Sequence, residues 1–377
     1  MSKETKTISI GPGAIATPSE VNGPGFALAA SEWYAIQSYV ITAQSKEIMP
    51  HTSADFKTYL GSGAPSDMTP FDPLIKAYKD IYDHVKVWQD DTFPQSVSLA
   101  SDVVAYAQQA PIYYNPILPL AQKLTTNPDD QPTKDKLKAI LGVLTNSANG
   151  YQKKAAEVAS KIKTFADQTM ADKVVLVGTD GKTGLFKTYD DQYGSTSADV
   201  VELNKQLVAQ QLVLDSANAE YEHDVIVAAT SPTYAWIFPF GTIAAAVVAG
   251  VYGKKATDAL DRAHAATQKI KELNAQKQAD AYLMMSLYTS QIGLSKNVES
   301  ISAALPVIQK IQGVWAAISD DLSNISKLIE TNIAEALPII MDLGVDAALT
   351  AWVAVGKEAQ AYRVNAYVTA PAAAKAA

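Results

Sequence analysis

Leu137, Leu141, Leu144, Ala148, Tyr151, Ala155, Val158, Ile162 and Phe165 follow one another at alternating spacings of four and three. That spacing returns an apolar side chain to one face of an α-helix at every turn, and a strand would scatter the same residues over both faces. The seam predicts a helix from Thr133 to Ala171. At 1.5 Å per residue, a helix of about 40 residues is ~60 Å long, roughly twice the width of a compact domain. Leu74, Tyr78, Ile81, Val85 and Trp88 repeat the pattern earlier, and Val298, Ile301, Leu305, Ile308, Trp315, Ile318, Leu322, Ile325 and Ile329 repeat it later. Asp199 to Asp224 carries Leu203, Leu207, Leu214 and Tyr221, and Lys255 to Leu294 carries Ala259, Ala263, Ala266, Ile270, Leu283 and Leu287. Several helices of such length in one chain imply an elongated antiparallel bundle. Shorter helices broken within these windows are the alternative. Pro94, Pro111, Pro116 and Pro119 are expected to kink or segment the second helical region.

Composition narrows the chemistry. The 377 residues carry a formal charge of −8 and contain no cysteine. Disulfide staples, thiolate zinc sites and thiol catalysis are thereby excluded. Scattered lysines on an acidic chain argue against nucleic acid as a partner, because phosphate neutralisation needs concentrated positive charge. His51, His84, His223 and His264 lie far apart in sequence, and no metal or other cofactor is expected. Asp90-Asp91, Asp129-Asp130, Asp190-Asp191 and Asp320-Asp321 are adjacent carboxylates. Neighbouring side chains point apart, so these pairs read as solvated surface rather than acid–base machinery. Gly178 to Gly184 lacks the spacing of a phosphate-binding loop. No enzyme is visible. The tyrosine-rich stretch from Pro111 to Pro119 reads as a packed kink between helices.

At the ends, Gly11, Pro12, Gly23 and Pro24 mark residues 1–24 as an irregular arm, and residues 366–377 form a low-complexity tail expected to be disordered. The first ten residues lack the apolar core of a secretory leader, so secretion without a recognisable cleavable signal is expected.

Two places depart from helical periodicity. Lys173 to Phe186 places two apolar runs around Asp180-Gly181 and reads as a short β-hairpin. The second is the stretch between Asp224 and Lys254, which contains no charged residue. From Thr233 to Gly253 it is about 31 Å long as a helix, enough to cross a ~30 Å hydrocarbon layer. Pro232, Pro239 and Gly241 interrupt it, so a hairpin is as compatible as one straight rod. Gly241, Ala245, Ala249 and Gly253 form a small-residue stripe, and Tyr234, Trp236 and Tyr252 lie where aromatic rings suit a membrane interface. A buried core helix would have the same length. The segment nevertheless sits between two long amphipathic helices, at the turn of an antiparallel pair, where a bundle tip has little interior.

Long heptad helices flanking Val225–Gly253, without cysteine, resemble the α-helical pore-forming toxins of the cytolysin A, haemolysin BL and non-haemolytic enterotoxin type and their Gram-negative tripartite relatives. The resemblance covers roughly residues 25–365 and rests on architecture. The missing leader favours a Gram-negative member, since the Bacillus members carry cleavable signals. The resemblance implies an all-α fold in which a tail of about five long helices, residues 25–224 and 255–365, carries a small head at residues 225–254. It implies a subunit that is soluble as a monomer, then enters a target-cell lipid bilayer as a homo- or hetero-oligomer with partner subunits. Tyr234, Trp236, Ile237, Phe238, Phe240, Ile243, Ala245, Val247, Val248, Ala249, Val251 and Tyr252 are the candidate membrane-inserting residues, with Pro232, Pro239, Gly241 and Gly253 as hinges. A single-span membrane protein with coiled-coil flanks and a soluble helical interaction module are the rival readings.

Overall fold

The computed structural model describes residues 10–12, 36–180 except 38, 42 and 47, 183–194, positions within 201–213 and 258–266, the run 268–287, and 313, 316 and 319–365. Every regular element among the described residues is helical. Helix α1 (Ser53–Leu60) starts where the Thr52 hydroxyl accepts from the Asp55 amide at 3.1 Å, satisfying one of the free donors of a first turn. It ends at Gly61, whose φ of +72° and ψ of −150° lie in a region essentially reserved for glycine. Helix α2 (Asp72–Val87) buries Leu74, Tyr78, Ile81 and Val85, and Trp88 follows on the same seam, as the spacing predicts.

The second helical region is segmented, as expected, with a break at 115–116 and a widened turn before Pro94. Between α2 and α3 (Phe93–Tyr114) the chain stays helical through a wider π-type turn, Trp88–Thr92, in which the Phe93 amide reaches back to the Trp88 carbonyl. Pro94 has no amide to donate and its ring crowds the preceding turn. The wider turn directly before it accommodates both defects without ending the helix. Pro111 also lies inside α3, which ends three residues later at Tyr114. Pro116 and Pro119 open α4 (Ile117–Thr126), where the early amides would have no helical partner anyway.

Helix α5 (Gln131–Val177) is the predicted long helix, extended at both ends to 47 residues. Asp130 caps it, one carboxylate oxygen accepting from the Thr133 hydroxyl at 2.7 Å. Leu137, Leu141, Leu144, Ala148, Ala155, Val158, Ile162 and Phe165 are all buried, and Tyr151 is half-buried. At ~1.5–3 kcal/mol for each fully buried aliphatic side chain, this seam is a main source of stability.

The β-hairpin expected over Lys173–Phe186 is not there. Residues 173–177 are the last turn of α5, Leu176 and Val177 being buried, and α6 (Leu185–Tyr189) begins a few residues later. Gly178 at φ +84° ends α5, its amide donating to the Val174 carbonyl at 2.8 Å. A short β-branched run looks alike to a strand and to a helix end, and the packing of Leu176 and Val177 decides for the helix. The helix expected from Lys255 to Leu294 is likewise interrupted at 272–274. There the Asn274 side chain accepts from the Lys277 amide at 3.1 Å and starts a new helical run at 275. After a helical run at 319–331 come α7 (Ile333–Met341) and α8 (Val345–Asn365), joined at Gly344 with φ +62°.

The chain divides into two compact units. One comprises residues 1–29, 94–162 and 303–364; the other comprises 30–93, 163–302 and 365–377. In the first unit α8 lies so close to α3 that a Cβ at Gly356 would stand 2.7 Å from the Ala107 methyl. In the second, Trp88 stacks on Phe165 with ring centroids 4.5 Å apart.

Candidate membrane-active site

The residues 214–257 lie outside the described residues, and with them every candidate membrane-inserting residue and hinge between Pro232 and Gly253. Leu203, Leu207, Leu294 and residues 298–312 of the later seam are outside as well. The described residues on either side of this segment are helical. Upstream, Glu202, Gln206 and Gln210 are helical; downstream, Asp258, Arg262, Ala266 and Ile270 are helical. Arg262 Nε donates to Gln210 Oε1 at 2.9 Å, across 52 positions of sequence. The chain that leaves at Gln210 therefore returns to it, with the uncharged segment in the excursion between.

Both flanks of the excursion are anchored in the second unit. On the upstream side α6 and the π-type turn after it, Asp190–Gly194, place Tyr189 and Tyr193 on Phe71, with centroids 5.9 and 5.7 Å away. Tyr189 donates to the Pro70 carbonyl at 2.9 Å, and burial raises its hydroxyl to about 12, so it stays a donor at neutral pH.

On the downstream side the anchor is the helical run 275–287. Every residue from Ala279 to Leu287 is buried, on all faces of the helix, which is the signature of an element surrounded by others. Polar bonds fix its register. Tyr59 donates to the Tyr282 carbonyl at 2.8 Å, and Ser286 donates to the Ile48 carbonyl at 2.7 Å while Tyr78 meets the same Ser286 hydroxyl at 2.8 Å. Burial raises the Tyr59 hydroxyl well above its ordinary range, which keeps this bond independent of physiological pH. At its start the run touches Gly63 so closely that a Cβ there would stand 1.9 Å from the Ala275 carbonyl oxygen. Sequence reasoning missed this anchor, because Ser286 reads as one polar residue in an apolar window until Ile48 and Tyr78 surround it.

His223 and His264 lie outside the described residues, and several of the other titratable residues weighed as chemistry have local partners. Asp90 pairs with Lys86 at 2.6 Å, Asp191 with Lys187, and Asp130 caps α5. His84 Nδ1 meets Asp172 Oδ2 at 2.8 Å, and His51 stacks on Tyr82 with centroids 4.1 Å apart. Burial raises the Asp172 carboxyl above the ordinary range, against the opposing pull of His84. Among the described residues no cluster of three metal-ligating side chains occurs.

Among the same residues no single helix is long and apolar enough to cross a membrane. Helix α7 and the first nineteen residues of α8, Val345–Arg363, reach that length and composition together, but they meet at a bend of 52°. Ala336, Leu337, Ile340, Trp352, Val355 and Ala359 on this pair are buried, which makes it core.

Residues 71–213 match the family profile of the Bacillus haemolytic enterotoxin (HBL). The pesticidal crystal protein Cry6Ba of Bacillus thuringiensis is 24% identical over 373 residues, covering 92% of this chain and 90% of that protein. Among solved structures, the HblL1 toxin component of Bacillus cereus superposes with a TM-score of 0.58 at 18% identity, over 97% of this chain and 100% of that one. Soluble SmhA of the tripartite α-pore-forming toxin Smh of Serratia marcescens gives 0.57 at 11% identity, over 96% of both chains. The chain thus has the fold of the α-helical pore-forming toxin components, and its residues 71–213 carry the profile of the Bacillus haemolytic enterotoxin (HBL) family.

Proposed function

We propose that this chain is a non-enzymatic subunit of an α-helical pore-forming toxin, soluble before it acts and assembling at a target membrane with partner subunits. The observation that carries the reading is the likeness to toxin components along the whole chain, HblL1 being covered over 100% of its length. The uncharged residues 225–253 supply the physical means. Flanked in sequence by helical residues that meet at Gln210 and Arg262, they would serve as an apolar store, kept from water in one state and transferred to lipid in the other. Each Å² transferred returns roughly 25 cal/mol. Tyr234 to Tyr252 are the inserting residues, and Pro232, Pro239, Gly241 and Gly253 the points where the backbone redirects. The net charge of −8 disfavours recruitment by anionic lipid alone, so apolar insertion or a partner subunit provides the binding. Export precedes action, since the target is another cell's bilayer.

The test is dye release from liposomes and lysis of erythrocytes by the purified chain, alone and with the products of neighbouring genes. Release by the complete set, with none when this chain is omitted, is the expected result. Lack of release under every combination overturns the reading.

A further inference from the structure

The N-terminal segment Ile10–Pro12 belongs to no helix, yet it is built into the core of the first unit. The Ile10 side chain has no exposed surface. Its carbonyl accepts two hydrogen bonds from two different helices, one from Tyr114 of α3 at 2.8 Å and one from Trp352 Nε1 of α8 at 3.0 Å. Tyr106 lies 2.7 Å from the Tyr114 hydroxyl. Because Tyr114 gives its proton to Ile10, Tyr106 is the donor in that pair. Tyr106 also stands edge-on to Trp352 with centroids 4.7 Å apart, so three aromatic side chains converge on one main-chain carbonyl.

Such a pocket recognises a short extended peptide, not a helix face. It reads one β-branched aliphatic side chain and one carbonyl free of helical bonding, and both belong to a single residue. The donors are placed by α3 and α8, independently of the arm that fills the pocket. We propose that this pocket is an exchange site, which accepts the Ile10 segment of a second copy of the chain in place of its own. An identical segment makes identical contacts, so the exchange requires no new surface on either copy. The 23 positions between Pro12 and Ile36 can extend to ~80 Å, which is ample reach for a neighbour in an assembly. The cost of the step is releasing the resident arm, which competes at the high effective concentration of a tethered ligand.

The test uses a fluorescent peptide of residues 5–15 as the stand-in for the second copy's segment, titrated by anisotropy against the full-length protein. Ile10→Ala, whose own arm fills the pocket poorly, should bind the peptide at least tenfold more tightly than the wild type does. Adding Trp352→Phe, which removes one of the two donors but keeps a ring, should weaken that binding about tenfold, the order of one hydrogen bond. Equal peptide affinity for wild type and Ile10→Ala, or binding indifferent to Trp352→Phe, overturns the proposal. Should Ile10→Ala fail to fold, the same peptide carrying benzophenone in place of Ile8 is photolysed with the wild type at millimolar concentration. Adducts on the tryptic peptides of α3 or α8 support exchange, and their absence there refutes it.

Discussion

Replacing Gly63 with alanine tests whether the downstream anchor of the apolar segment is as tightly seated as the geometry states. The new Cβ would stand 1.9 Å from the Ala275 carbonyl oxygen, 2.5 Å from its carbon and 3.0 Å from the Ala279 methyl. Carbon and oxygen not bonded to each other do not approach so closely, so a main-chain shift of more than 1 Å is unavoidable. No rotamer can relieve it, because the obstructing atoms at Ala275 are backbone. Overpacking of this kind costs ~1–3 kcal/mol, and at a few degrees per kcal/mol for a unit of this size the melting midpoint falls by ~2–12 °C. Two comparisons separate space from conformation. Gly61→Ala meets no atom within 4 Å but must hold φ at +72°, so its cost is strain alone. Gly142→Ala, inside α5 with nothing within 4 Å, should raise the midpoint, by ~0.5–1 kcal/mol equivalent. The assay is thermal unfolding followed by far-UV circular dichroism. A Gly63→Ala protein that melts with the wild type would show that the run 275–287 is not seated on the Gly61–Gly63 turn, and the reasoning about its anchoring role would go with it.

Ala245→Asp with Ala249→Asp should abolish dye release while leaving helical content unchanged, since a carboxylate at mid-bilayer costs at least ~2.5 kcal/mol; full release by the double variant would refute insertion of this segment. Trp88→Ala, which empties a fully buried site stacked on Phe165, should destabilise by ~3–5 kcal/mol in urea unfolding. Asp172 has a raised carboxyl pKa in the folded chain, so the folded state holds its proton more tightly than the unfolded state does. Its stabilising contribution is full below the unfolded value and is lost as pH rises through the folded one. Asp172→Asn cannot ionise and keeps an oxygen for His84. The midpoint of this variant minus that of the wild type should therefore grow as pH rises from about 3.9 and level off above the folded value, and a pH-independent offset would contradict the account.

The sequence by itself determined that the described elements are helical, where the longest helix among the described residues runs and which of its residues face inward. Leu74 to Trp88 and Leu137 to Phe165 could be assigned because a helix seam is a local property: residues three and four apart share a face whatever surrounds them. The uncharged residues 225–253 were legible for the same reason, as length and absence of charge need no partner to be counted. What the tertiary structure decided lies where a residue's role depends on something distant. Lys173–Val177 became helix because Leu176 and Val177 found a core and Gly178 could adopt a positive φ. The register of the helical run 275–287, fully buried from Ala279 onward, depends on Tyr59, Ile48 and Tyr78, more than two hundred positions from the groups they bond. Ile10, in an arm read as irregular, became a core residue only because Tyr114 and Trp352, 104 and 342 positions away, direct their donors at its carbonyl. Periodicity is written in neighbouring letters, but a hydrogen bond between remote main chain and side chain exists only once the helices that carry its two ends have packed.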